Sequence, residues 1–87
     1  MHVSVISAER SVFQGEAETV VAPAYDGLVG ILPHHAPFMT LLGAGVVKIT
    51  QSGTEKVTTR LQVAGGFLQV ASNVVRIVAR SAAPVAS

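Results

Sequence analysis

His34 and His35 are the residues of this chain best suited by type and position to bind a metal ion or move a proton. Adjacent side chains on extended backbone point to opposite sides, so the two rings cannot easily face one metal ion. A third ligand would have to be Asp26 or a distant glutamate. We therefore predict structural or interface histidines and no metal site.

Three further patterns fall short of an active site. Glu16 and Glu18 alternate onto one face of a predicted strand, which is typical of a solvated face rather than of a catalytic carboxylate pair. No serine lies in a nucleophile elbow or beside a base. Residues 43–45 lack the third glycine of a dinucleotide fingerprint and precede a strand, not a helix. The sequence predicts no catalysis and no cofactor.

The elements that must position these residues are short β-strands. Valine supplies 15 of the 87 residues, and its branched, stiff side chain suits a pleated surface. No window of eleven residues has the apolar spacing of a helix, and turn signals recur every eight to twelve residues. We predict an all-β fold, a small sandwich of two antiparallel sheets with about ten short strands and no helical domain. The sandwich is expected to span residues 1–80, and residues 81–87 a frayed C-terminal tail.

Residue types also place the breaks between these strands. Glycine and proline either permit positive φ or cannot donate to a ladder, and Asp-Gly and Ser-Asn pairs suit two-residue turns. The expected breaks are a bulge or tight connection at Gly15, a strand end at Pro23, a turn at residues 25–27, a hairpin tip at residues 51–53, a kink at residues 65–66 and a turn at residues 72–73.

Size and charge exclude several classes of protein. A chain of 87 residues without cysteine has one small core, no disulfide framework and no thiolate metal site. Its formal net charge is +1 with 13% charged residues, which is far from the basic density of a nucleic-acid-binding domain.

A run of 21 residues without charge, from position 27 to position 47, is long enough to cross a bilayer as a helix. Its four glycines, together with Pro33 and Pro37, would break such a helix. The N-terminus lacks the basic and apolar regions of a signal peptide. We expect a soluble protein without membrane insertion, in which this uncharged loop region is a candidate partner surface.

Several runs, taken in order, resemble a known family. They are Ile6-Ser7-Ala8-Glu9, Val12-Phe13-Gln14-Gly15-Glu16-Ala17, Val20-Val21-Ala22-Pro23, Asp26-Gly27-Leu28-Val29-Gly30-Ile31-Leu32-Pro33-His34-His35-Ala36-Pro37, Leu41-Leu42, Gly45-Val46-Val47-Lys48-Ile49 and Ala64-Gly65-Gly66-Phe67-Leu68-Gln69-Val70. Together they cover nearly the whole chain. The sequence is similar to the N-terminal domain of the epsilon subunit of F-type ATP synthases.

The resemblance implies a flattened sandwich of two five-stranded sheets in the central stalk. Such a subunit is part of the rotor, is not catalytic, and couples rotation of the proton-driven c-ring to the gamma subunit. Its partners would be gamma and the c-ring, and its place the cytoplasmic face of a bacterial inner membrane, peripherally, or the organellar equivalent. The alternative is a free-standing binding module that uses the loop of residues 33–38.

On matching positions, the resemblance implies two interfaces. Contact with the c-ring would fall to Asp26, Gly27 and Leu28. Contact with gamma would fall to Ser7, His35, Ala36, Pro37 and Phe38. Two positions depart from the family: Leu28 stands where many relatives are acidic, and His34 replaces a glycine.

Relatives commonly continue into a two-helix C-terminal domain, for which residues 81–87 are too short at 1.5 Å per residue. The sequence favours a naturally short subunit over a truncated one. We expect the inhibition and ATP sensing that depend on those helices to be absent.

Overall fold

The computed structural model describes residues 1–8, 10–51 and 57–85, and eight β-strands lie within these ranges. They are β1 His2–Ser7, β2 Arg10–Glu16, β3 Thr19–Ala24, β4 Gly27–Ile31, β5 Phe38–Leu41, β6 Gly45–Gln51, β7 Val57–Ala71 and β8 Val74–Pro84. No helix occurs within these ranges, and hence none there that could span a bilayer. The all-β prediction is confirmed.

Two long strands hold the sheet together. The strand order is β2-β1-β8-β7-β6-β3-β4, with β5 also paired to β7. One edge of β7 pairs first with β6, through Val63, and then with β5, from Phe67. The other edge pairs with β8 from Leu61 to Ala71. The described strands therefore form two halves of five strands each, β2-β1-β8-β7-β5 and β8-β7-β6-β3-β4, and β7 and β8 belong to both.

The strand division differs from the prediction in two respects. About ten short strands were expected, whereas β7 and β8 are each one long strand, and they pair with each other on both sides of Gly65. All pairs were expected to be antiparallel, but β1 and β8 pair in parallel, from His2 opposite Val74 to Ser7 opposite Ala79. Strands about 70 residues apart in the chain meet here, and the local pattern of residues does not encode that choice.

Gly65 and Gly66 lie where β7 passes from one half to the other. Both have positive φ, 70° and 109°, so the predicted kink is present although hydrogen bonding continues on either side. A Cβ atom on Gly65 would lie 2.5 Å from the Arg80 Nε, and one on Gly66 would collide with the Val78 carbonyl oxygen. Only glycine fits this bend.

The core lies between the two halves. Alternate residues of β1, β7 and β8 are fully buried in one half, and alternate residues of β3, β6 and β7 in the other. They form a single hydrophobic cluster, so the halves pack face to face as a sandwich. Its fully buried members with the largest side chains are Ile31, Ile49, Leu61, Leu68 and Ile77, with Val3, Val5, Val20, Val47, Val63, Val70 and Val75.

Three local predictions need correction. Residues 81–84, expected to fray, belong to β8 because the first half of β7 offers them a free edge, Leu61 pairing with Pro84. Pro23 lies inside β3 rather than after it. Proline is tolerated there because β6 pairs with β3 only as far as Val21. The ladder irregularity lies between Val5 and Ile6, not at Gly15. The expected hairpin tip falls largely outside the described residues.

Candidate partner-binding surfaces

The turn between β3 and β4 is an exposed tip. Asp26 and Gly27 are exposed, Leu28 is 75% exposed and Tyr25 69%. Gly27 has a φ of 136°, which the Asp-Gly pair predicts. The Tyr25 amide donates to the Leu41 carbonyl at 3.1 Å, which braces the tip against the end of β5. The three residues predicted to contact the c-ring thus lie together on a fixed projection that carries one carboxylate and two large side chains.

The loop after β4 is ordered by local hydrogen bonds. The His35 amide donates to the Leu32 carbonyl at 3.2 Å, and the His35 Nδ1 donates to the Ala36 carbonyl at 2.8 Å. The His35 ring also packs at a tilt of 55° against the Phe38 ring, with centroids 5.0 Å apart. His34, at a φ of 64°, donates its amide to the Asn73 Oδ1 at 2.8 Å. His34 therefore adopts a positive φ, the conformation that glycine adopts most readily.

The predicted gamma residues do not form one cluster. His35, Ala36 and Pro37 are exposed, whereas Phe38 is half-buried and packs against the core. Ser7 is buried at the far end of β1. At roughly 3.3 Å per residue, Ser7 lies about 17 Å along β1 from His2. The His2 amide donates to the carbonyl of Asn73, the residue whose side chain accepts from the loop at His34.

Between these positions lies an apolar surface that the sequence did not single out. Leu41 pairs with Phe67, Phe67 with Val78, and Val78 with Ile6, so their side chains form one row across four strands. Met39 lies two residues from Leu41 on the same face, and each is 63% exposed; Phe67 is 37% exposed. We call Ile6, Met39, Leu41, Phe67 and Val78 the outer apolar patch. The alternation of Phe38 and Thr40 with Met39 and Leu41 could have indicated the part of the patch on β5. The other members join it only because β5 pairs with β7 and β7 pairs with β8.

The polar candidates are dispersed. His34 and His35 are exposed on the loop, and the described part of the chain contains no group of three residues able to hold a metal ion. Glu16 ends β2, with its carboxylate 3.0 Å from the His2 Nδ1, and Glu18 lies in the connection to β3. The two carboxylates do not share a strand face, because the chain leaves β2 between them, where the buried Ala17 bonds to Met1.

Asn73 links the loop to the β7–β8 turn, and its substitution should separate two effects. Asn73→Gly keeps the positive φ of 60° but loses the bond to His34, and we expect a loss of about 0.5 to 1 kcal/mol in the free energy of unfolding. Asn73→Ala also strains the backbone and should lose about 2 kcal/mol. Urea denaturation measures both losses. Unchanged stability of Asn73→Gly would contradict the assigned bond, and equal losses in the two variants would contradict the backbone strain.

The family comparison decides the identity of this sandwich. A model of the ATP synthase Delta/Epsilon chain, beta-sandwich domain, matches residues 1–85. The chain belongs to this family. The ATP synthase epsilon chain of Dehalococcoides mccartyi is 48% identical over 82 residues, which are 94% of this chain and 56% of that relative. The epsilon chain of Roseiflexus sp. is 42% identical, over 94% of this chain and 57% of the relative. This member of the Delta/Epsilon family thus spans a little over half the length of these curated relatives.

Solved structures share the fold of this Delta/Epsilon domain. A chain of the Euglena gracilis mitochondrial ATP synthase, in a structure of OSCP, F1 and the c-ring, superposes with a TM-score of 0.84 at 21% identity. The match covers 94% of this chain and 51% of that one. A chain in a structure of the central stalk and c-ring of the Tetrahymena thermophila mitochondrial ATP synthase superposes with a TM-score of 0.74 at 16% identity. That match covers 93% of this chain and 63% of the other. At these identities the likeness establishes the β-sandwich fold.

Proposed function

We propose that this chain is a non-catalytic rotor domain of a proton-translocating F-type ATP synthase that couples rotation of the c-ring to gamma. The observation that carries the proposal is the presence of two apolar exposures on one small sandwich, which adjoin where the Tyr25 amide donates to the Leu41 carbonyl. The tip with Leu28 is one, and the outer apolar patch around Phe67 is the other. A domain that joins two partners needs two such surfaces.

We assign the tip to the c-ring and the outer apolar patch, with the flanking His35 loop and Ser7, to gamma. Exposed apolar side chains this close together are typical of a surface covered in an assembly. Leu28 makes the tip contact partly apolar, with Asp26 as its charged member. In this assignment the domain lies peripherally on the cytoplasmic face of a bacterial inner membrane and performs no chemistry of its own.

Co-purification tests the proposal directly. Tagged protein from its own cell should bring down both gamma and the c subunit. Capture of neither would overturn the rotor assignment and favour the free-standing binding module, in which the loop of residues 33–38 takes the ligand.

Crosslinking tests the orientation. The sequence has no cysteine, so Leu28→Cys and Ser11→Cys each give a single thiol for a benzophenone maleimide. Leu28 lies at the tip, whereas Ser11 is exposed on β2, the strand at the other end of the sheet order. Irradiation of the assembled enzyme should give several-fold more adduct with the c subunit from position 28. Similar yields from the two positions would contradict the assignment of the tip.

A further inference from the structure

An opening among the described residues lies where β1 separates from β8. Its volume is about 380 Å³, within the range of ligand sites. The end of β1 at Ser7, the start of β2 at Arg10 and Ser11, and the end of β8 line it. We call this opening the wedge.

A free strand edge forms one wall of the wedge. β1 pairs with β8 only as far as Ala79, whereas β8 continues to Pro84 in contact with β7. Within the described ranges, no strand pairs with the other edge of residues 81–84. Free backbone groups along such an edge favour the addition of an extended segment from another chain.

The charge of the wedge selects the segment. Among the described residues that line it, Arg10 is the one with a charged side chain; it makes no ion pair within the described structure, and the hydroxyls of Ser7 and Ser11 lie nearby. An arginine guanidinium binds a carboxylate through paired hydrogen bonds. The remaining wall, with Val12, Ala83 and Pro84, is uncharged. It suits a bound segment whose carboxylate is flanked by apolar residues.

We propose that the wedge binds an extended segment of a partner protein that carries one carboxylate between uncharged residues. The segment pairs with the free edge of β8, and its carboxylate binds Arg10. The inference rests on the proposed function for the identity of the partner, gamma, which we assign to the side of Ser7. The binding chemistry itself requires no assembly.

Titration with a peptide tests the site on the whole 87-residue chain. The probe is an acetylated and amidated hexapeptide of alternating valine and threonine with one central glutamate, and its twin carries glutamine instead. Amide NMR shifts should move at the wedge, and the glutamate peptide should bind about tenfold to a hundredfold more tightly than its twin. Arg10→Gln should remove this preference and Arg10→Lys retain part of it.

Arg60→Gln is the matched control, because Arg60 is exposed on β7 and lies outside the wedge. It should leave the affinity unchanged. The proposal is overturned if both peptides bind alike, if neither binds, if the shifts cluster elsewhere, or if Arg60→Gln weakens binding as much as Arg10→Gln. Any of these results alongside successful co-purification would leave the rotor assignment in place, whereas peptide binding without co-purification would remove only the rotor assignment.

Discussion

Gly66→Ala is expected to lower the free energy of unfolding by about 3 kcal/mol, a large part of the stability of a domain this small. Gly66 has a φ of 109°, and an added Cβ would collide with the Val78 carbonyl oxygen on the paired strand. Relief would require β7 and β8 to separate at the bend that both halves of the sandwich share. The melting temperature should fall by about 12 to 24 °C.

Gly30→Ala is the control for this substitution. A Cβ at Gly30 would meet nothing within 4 Å, and its φ is not positive. We expect the free energy of unfolding of Gly30→Ala to differ from that of the unmodified protein by no more than about 0.5 kcal/mol. Thermal and urea denaturation followed by circular dichroism measure both variants. If Gly66→Ala and the unmodified protein have the same melting temperature, the bend tolerates a side chain and the explanation given for Gly66 is wrong.

Phe67→Glu is expected to weaken binding to gamma by about a hundredfold or more. Phe67 lies in the middle of the row that joins Leu41 to Val78, and an aromatic residue at the centre of an interface commonly dominates its binding energy. A carboxylate there would be buried against an apolar partner without compensation. Calorimetry with purified gamma measures the loss.

Gln62→Glu is the matched control for charge. It adds the same group at an exposed position on the same strand, in the half of the sandwich that lacks the outer apolar patch. Both variants should melt close to the unmodified protein, because neither position lies in the core. Wild-type affinity of a folded Phe67→Glu variant would show that gamma does not bind this patch.

Local residue types were enough to predict much of the fold. The alternating valines predicted β1, and Val75 with Ile77 predicted the buried face of β8. Asn73 and Gly27 marked turns, because each adopts a positive φ that few residues tolerate. The exposed tip could be located in the same way, because the Asp26-Gly27 pair marks a turn, and a turn projects from the sheet wherever its strands are placed.

The sequence by itself thus determined an all-β sandwich with a kink at Gly65, and an ordered loop at residues 33–37. Tertiary structure decided that β1 pairs in parallel with β8, that residues 81–84 join the sheet, and that Ser7 lies beside the wedge and far from His35. It also brought Ile6, Leu41 and Phe67 into one patch. Turns depend on a few neighbouring φ and ψ angles, which residue types limit. Pairing between distant strands depends on which edges remain free after the whole chain has packed, and no short stretch of sequence carries that information.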